Sequence, residues 1–266
     1  MFDSLKARDA APTECGAQIF RFGRPDNNTQ ASRNSALASP CASCKVRGKA
    51  VCAGLNDEEM EDFSRNIHTR LVKAGKAVYR ESEAADNFYT VVTGEVRLAN
   101  LLGDGRRQLT AFKSAGDLLG ENKKGFYQSD AEAVCDTIVC QIPLSLLEKY
   151  SNDVPAMYAS LATKAQEELC ELRHHAVLLG RKTPLEKIAT FLCGRMDKLD
   201  GKQEDQVAID LTMGRGDVAD FLGLTIETVS RTITKLKNMG LLLVPNPHHF
   251  VIRNPARLRR IAEGEE

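Results

Sequence analysis

The sequence predicts an α+β protein: an N-terminal β-roll, a long helix suited to pairing two copies, and a C-terminal winged helix-turn-helix. Three observations carry that prediction. Between about Leu55 and Pro143 the glycines Gly75, Gly94, Gly103, Gly105, Gly116 and Gly120 punctuate short β-branched and aromatic runs. Ala77-Val78-Tyr79, Phe88 to Val92 and Val96 to Leu101 are the clearest, and the pattern is that of an antiparallel barrel or roll. From Val154 to Leu179 apolar residues recur at helical spacing,. After Arg215 two short helical patterns flank a glycine, and a strand, turn and strand follow,.

At 266 residues the chain has room for about two domains,. A composition of 42% hydrophobic and 27% charged residues excludes a disordered chain, a coiled coil and a collagen,. No apolar run approaches the ~20 residues of a spanning helix. The first thirty residues carry Asp3, Lys6, Arg8, Asp9, Glu14 and Arg21 without an apolar core, so no secretory signal is expected. A cytoplasmic protein with no membrane partner follows. The 36 basic and 36 acidic residues balance overall, yet Gln206 to Arg260 holds eight basic against four acidic residues. A basic C-terminal segment on an otherwise acidic chain suits a nucleic-acid module, although a solvated surface can give the same count.

Residues 1–54 read as an N-terminal extension, mobile over 1–40 and rich in cysteine after that,. The roll occupies 55–150 and the helix 151–182. Apolar positions Val154, Tyr158, Leu161, Ala165, Leu169, Leu172, Ala176 and Leu179 form its stripe. Such a helix is ~40 Å long, more than a small domain is wide. Part of the stripe could lie on the roll, but a homodimer with Tyr158, Leu161, Ala165, Leu172 and Leu179 in the seam is expected. A heptad register from Val154 puts Glu168 and His175 in that seam, where like charges would weaken it,. Thr183-Pro184-Leu185-Glu186 is a capping box with proline at the first helical position,. It opens the last domain, 183–266, whose first helix runs through Ile188, Phe191, Leu192 and Met196. Residues 197–206 are polar and loop-like.

Ala219, Gly223 and Val229 suit a helix-turn-helix: alanine permits close approach, glycine takes the turn and valine plugs the crossing,. Thr225 caps the second helix. Ile226, Val229, Ile233 and Leu236 share its inner face, and Glu227, Ser230, Arg231 and Thr234 the outer one. An outward acceptor, hydroxyl and arginine fit base edges; the plain alternative is a solvated face with a Glu227–Arg231 pair worth ~0.3 kcal/mol. Gly240, Leu241 to Val244, Pro245-Asn246-Pro247 and Phe250 to Ile252 add a helix stop and a wing.

Leu211 to Asp217 and Gly223 to Arg231 resemble the signature of the Crp/Fnr superfamily, specifically its FNR branch. The resemblance spans residues ~55 to 260 and implies a cyclic-nucleotide-binding-like roll, a dimerisation helix and a winged head on double-stranded DNA. It implies that Glu227, Ser230 and Arg231 read TTGAT-type inverted repeats, with Thr228 and Thr234 beside them. Lys235 and Lys237 would contact phosphates. An oxygen- or redox-responsive transcription regulator working with RNA polymerase follows.

Disulfides are disfavoured in the cytoplasm, so the eight cysteines point to metal or redox chemistry,. Cys41, Cys44 and Cys52 put three thiols within twelve residues, and the cationic neighbours Lys45, Arg47 and Lys49 would favour thiolates. The fourth ligand lies on an expected strand, Ala133 to Ile142, where Cys135 and Cys140 face opposite ways. Cys140 is preferred: Val139 to Pro143 resembles the stretch holding the central ligand in FNR proteins, while Cys135 is the alternate. Zinc sites favour two closely spaced pairs and only one is present. A triplet with one remote cysteine suits iron and sulfur better, and the resemblance implies [4Fe-4S]. The seven-residue gap before Cys52 is wider than in the best-known FNR pattern and similar to that of rhizobial FnrN-type relatives. Cys170 and Cys193 are expected to be buried and inert, and Cys15 is given no role.

Cyclic AMP is not expected as a ligand. Gly120-Glu121 matches the ribose half of its site, but Gln128-Ser129-Asp130 stands where an arginine would meet the phosphate,. His68, His174 and His175 suit structural or surface roles better than haem ligation. No hydrolase, zinc-protease or phosphate-loop motif is present, so no enzyme is expected. The alternatives are a constitutive DNA-binding regulator with structural zinc at its cysteines, or a regulator responding to nitric oxide.

Overall fold

The structure, a computed structural model, describes residues 41, 43–199 and 206–265. The expected mobile arm over 1–40, with Cys15, lies outside the described residues, as does most of the expected 197–206 loop.

Turn residues interrupt the first half of the chain every few positions, so its strands are short. Helix α1 (Asp57–Ser64) comes first. Asn56 caps it by accepting from Glu59 N at 2.9 Å, while the Glu59 carboxylate accepts from Asn56 N at 2.9 Å,. Strands β1 (His68–Val72), β2 (Ala77–Tyr79), β3 (Asn87–Thr93), β4 (Val96–Leu101) and β5 (Arg107–Lys113) follow. Then come β6 (Leu118–Leu119), β7 (Asn122–Lys123), β8 (Phe126–Tyr127), β9 (Asp130–Ala133) and β10 (Thr137–Pro143). They form two four-stranded sheets, ordered β1-β10-β3-β6 and β2-β9-β4-β5, with a β7-β8 ribbon. Val78, Tyr79, Val91, Val96, Leu98 and Val139 fill the space between them. The strand expected over Ala133 to Ile142 is therefore two. Residues 134–136 turn between β9 and β10, and Thr137 Oγ1 closes the turn by donating to Cys135 O at 2.7 Å.

β10 runs directly into α2 (Leu144–Asp153), and one extended residue, Val154, separates it from α3 (Pro155–Arg181). Pro155 has no N–H with which to continue α2, so a new helix starts there, and the helix expected from Val154 to Leu179 forms as the unbroken α3,. Of the expected 151–182, only residues 151–153 belong to α2. Of the expected seam, Tyr158, Ala165 and Leu172 are exposed, as is Leu169. Leu161 and Leu179 are half-buried against their own chain. Glu168 and His175 also turn inward. Glu168 pairs with Lys113 of β5, and His175 Nε2 donates to Phe221 O at 2.8 Å. The expected charge clash in the seam is thereby removed. Cys170 is exposed, contrary to expectation, whereas Cys193 is buried and pushed up to about 11 by that burial.

The last domain opens with α4 (Pro184–Asp197), whose capping box forms as expected: Thr183 Oγ1 accepts from Glu186 N, and Glu186 accepts from Thr183 N. Next come β11 (Val207–Asp210), α5 (Arg215–Leu222), α6 (Ile226–Asn238), β12 (Leu242–Leu243), β13 (His249–Ile252) and α7 (Pro255–Glu263). The wing is three-stranded, ordered β11-β13-β12. β11 and α7 were not anticipated. Asn254 caps α7 through Arg257 N at 2.9 Å, and Leu258, Ile261 and Ala262 share one core with Ile188 and Leu192 of α4. That core also takes in Leu109 and Phe112 of the roll. Among the described residues no helix is long and apolar enough to cross a membrane.

Candidate functional site

Residues 43–55 carry two short 3-10 turns, Arg47–Lys49 and Val51–Gly54, against the outer face of the β1-β10-β3-β6 sheet. Val51 and Leu55 anchor them in a core with Met60, Phe63, Ile142 and Met157. Between segment and sheet lies a cavity of about 30 Å³ lined by Cys41, Cys44, Cys52 and Cys140, with Thr90, Val92 and otherwise mostly apolar side chains. The four cysteines singled out in the sequence therefore meet, although Cys140 is 88 residues from Cys52 in the chain. Cys135 lies in the β9–β10 turn, outside the cavity lining.

Burial first, and then the neighbouring thiols, push Cys140 up to about 12 and Cys52 up to about 11. Arg47 pulls Cys52 down but is outweighed, so at Cys52 the cationic neighbour does not favour the thiolate. Arg47 instead donates to Leu55 O at 3.2 Å and pairs with Asp57 at 3.0 Å. A metal entering here must displace thiol protons. Among the described residues no three His, Cys, Asp or Glu side chains form a group that could hold a single metal ion; the thiols surround a volume. The segment is also pinned to the long helix. A Cβ on Gly54 would come within 2.6 Å of Ala156 O, so only glycine allows this approach to the first turn of α3.

The second site is the reading head. Gly223 takes φ +60° between α5 and α6, and the buried Ala219 and Val229 pack the crossing as expected. Thr225 Oγ1 accepts from Thr228 N at 3.2 Å and caps α6. Glu227, Arg231, Thr234, Lys235 and Lys237 are exposed, and Thr228 and Ser230 half-exposed, on one side of α6. Val229, Ile233 and Leu236 are buried on the other; Ile226, expected with them, is 52% exposed. Arg231 Nη2 lies 3.5 Å from Thr228 Oγ1, and Arg215 donates to Ser230 Oγ at 3.1 Å. The Glu227 carboxyl sits below its usual range through hydrogen bonds at the helix start, with Arg231 adding to the effect. The exposed row presents acceptor, hydroxyl and guanidinium together, free to turn toward a duplex.

Roll and head are joined by groups the sequence did not reveal. Arg97 of β4 pairs with Glu132 at 2.8 Å and with Asp217 of α5 at 2.9 Å. Arg107 of β5 pairs with Asp217 at 2.7 Å and Asp220 at 2.8 Å. The last carbonyls of α5 are each met from another element. Asp220 O accepts from Gln108 Nε2 at 2.8 Å, Phe221 O from His175, and Leu222 O from the buried Lys187 Nζ at 3.0 Å. These donors complete the open C-terminal end of a helix. Burial, and then Lys187, holds His175 below its ordinary value against the opposing pull of that carbonyl. The partners that join β4 and β5 to α5 lie more than a hundred residues apart and leave no local signal.

Where a nucleotide phosphate would sit, Gln128 is exposed and donates to Phe126 O at 2.8 Å. A cation does stand nearby, Arg80, but it is paired with both Asp130, at 2.9 Å, and Glu132, at 2.7 Å.

A β-roll, a long helix with an exposed apolar stripe and a winged helix-turn-helix define a transcription regulator. Residues 69–153 match the family model of the cyclic nucleotide-binding domain and residues 186–261 that of the Crp-like helix-turn-helix domain. The chain is 36% identical over 225 residues to the nitrogen fixation regulation protein FixK of Bradyrhizobium diazoefficiens, covering 84% of this chain and 93% of that one. It is 37% identical over 246 residues to FixK of Azorhizobium caulinodans, covering 92% and 93%. The solved structure of FixK2 from Bradyrhizobium japonicum superposes with a TM-score of 0.68 at 36% identity, over 73% of this chain and 96% of that one. The chain belongs to the Crp/Fnr family of transcription regulators, and it is not an enzyme.

Proposed function

We propose that this regulator holds a [4Fe-4S] cluster on Cys41, Cys44, Cys52 and Cys140 and uses it to control genes of low-oxygen metabolism. The observation that carries the reading is the meeting of four thiols from two distant segments around one apolar cavity. Thiolates are the ligands such clusters take, and four of them spread around a volume suit a group in which each binds its own iron. Zinc would need its ligands about 3.8 Å apart, since each Zn–S bond is about 2.3 Å in a tetrahedral site. A bound cluster supplies the oxygen sensitivity; the chain's residues supply the transmission. Cys52 lies two residues before Gly54, which is seated on Ala156, and Cys140 lies on the strand that continues into α2. Ordering residues 43–55 therefore fixes the start of α3. The exposed Tyr158, Ala165, Leu169 and Leu172 then meet a second copy, which sets two reading heads at the spacing of an inverted repeat.

On DNA, Glu227, Ser230 and Arg231 read TTGAT-type half-sites, Thr228 and Thr234 flank them, and Lys235 and Lys237 contact phosphates. RNA polymerase is the partner at the promoter. No cyclic nucleotide is required, because Arg80 is already held by two carboxylates.

Anaerobic purification tests the reading. Iron and acid-labile sulfide in a brown protein, with tight binding to a TTGAT inverted repeat that air abolishes, are expected. Cys140→Ala should lose the cluster and the dimer, whereas Cys135→Ala should keep both. A colourless protein with stoichiometric zinc would establish the constitutive alternative, and loss of the cluster only in Cys135→Ala would move the fourth ligand.

A further inference from the structure

Thr90 carries a hydroxyl with no partner. The residue is 3% exposed, and its Oγ1 makes no hydrogen bond to any described residue. Buried hydroxyls are nearly always bonded, because an unmade bond keeps the full desolvation cost of the group. Valine has almost the same shape without that cost, and β3 uses valine at the next two positions, Val91 and Val92.

The location of Thr90 supplies the reason for the exception. On β3, Tyr89 and Val91 face the core between the sheets, while Phe88, Thr90 and Val92 face the other way. Thr90 is the register partner of Cys140 on β10, and both line the thiol cavity. A protonated thiol is a poor acceptor. A metallated thiolate or an inorganic sulfide is negatively charged and accepts well.

We propose that Thr90 is the hydrogen-bond donor to the sulfur of the bound cluster, a positioning residue whose partner exists only when the cysteines are metallated. This rests on the reading that the four cysteines hold an iron–sulfur cluster. Donors to cluster sulfurs are among the groups by which a protein sets cluster properties. Here the donor lies on the strand beside Cys140, so the same contact helps hold that sulfur in place.

The test compares wild type, Thr90→Val and Thr90→Ser, all purified anaerobically. Iron and sulfide content come first. Resonance Raman spectra in light and heavy water then read hydrogen bonds to sulfur, and an anaerobic chelator reads how firmly the group is held. Wild type and Thr90→Ser should show iron–sulfur bands that shift on deuteration. Thr90→Val should bind the same cluster, lack the hydroxyl's share of the shift and lose iron to the chelator roughly tenfold faster, the size expected for one charge-assisted bond. Metal-free Thr90→Val should melt no lower than metal-free wild type. Should that variant melt lower, Thr90 is bonded within the protein and the proposal is overturned. If wild type holds a cluster and Thr90→Val matches it in spectrum and chelator rate, the Thr90 proposal alone fails. Wild type without iron and sulfide overturns the cluster reading and this proposal together.

Discussion

Replacing Gly54 by alanine tests whether the cysteine segment is seated on the long helix. The added Cβ would lie 2.6 Å from Ala156 O and 2.8 Å from its carbonyl carbon. Both are backbone atoms of the first turn of α3, so no side chain can swing away. Gly54 has no left-handed φ, and alanine would be tolerated there but for the contact. Overpacking of this kind costs about 1 to 3 kcal/mol, which for a protein of this size lowers the melting temperature by about 2 to 12 °C. Gly48 is the control. It lies in the neighbouring 3-10 turn, where an added Cβ would meet nothing within 4 Å, so Gly48→Ala should be neutral or stabilising by ~0.4 to 1 kcal/mol. Calorimetry of both metal-free variants gives the comparison, and sedimentation of the loaded forms shows whether the dimer weakens with the seat. Equal melting temperatures for Gly54→Ala and Gly48→Ala would refute the seating and the transmission route built on it.

Three further outcomes are expected. Arg231→Ala should lose ~1 to 3 kcal/mol on the specific site and discriminate less against a changed guanine; equal losses on unrelated sequences would make Arg231 a phosphate contact only. Saturating cyclic AMP should leave the melting temperature unchanged, whereas a ligand at a hundred times its dissociation constant would add ~2.7 kcal/mol, so a clear shift would show that the roll retains a nucleotide site. His175 is held below its ordinary value, so as pH falls below about 6.5 the unfolded chain takes up a proton that the folded one resists, and stability declines. Denaturant melts at pH 7.5 and 5.5 should show less of that decline in His175→Gln, and parallel declines would remove His175 as a contributor.

Periodicity made the long elements legible. The stripe of α3, the capping box at Thr183 and the Gly223 turn could be read because each is defined within a few residues. Which way a side chain turns was less legible. Glu168, His175, Leu161 and Leu179 all sit on a helix that meets both solvent and its own chain, and a heptad register cannot tell the two apart. β11 is four residues long, too short for a period to register. α7 did carry a signal in Asn254-Pro255, a cap followed by proline, but its arginines read first as surface charge. The four cysteines were legible as a set by spacing and resemblance, while the β9–β10 turn that separates Cys135 from Cys140 was not. Thr90 had no sequence signal, since a threonine in a strand is ordinary until its partners are counted.

The arginines of β4 and β5 have a further consequence. Asp217 and Asp220 sit on α5, the helix packed beside the reading helix, and both are neutralised by Arg97 and Arg107 from the roll. The roll thus masks two acidic groups on the helix next to α6. Cut free of the roll, the head would uncover them and meet DNA with a weaker field than its arginines and lysines suggest. The roll thereby shapes the electrostatics of the winged half.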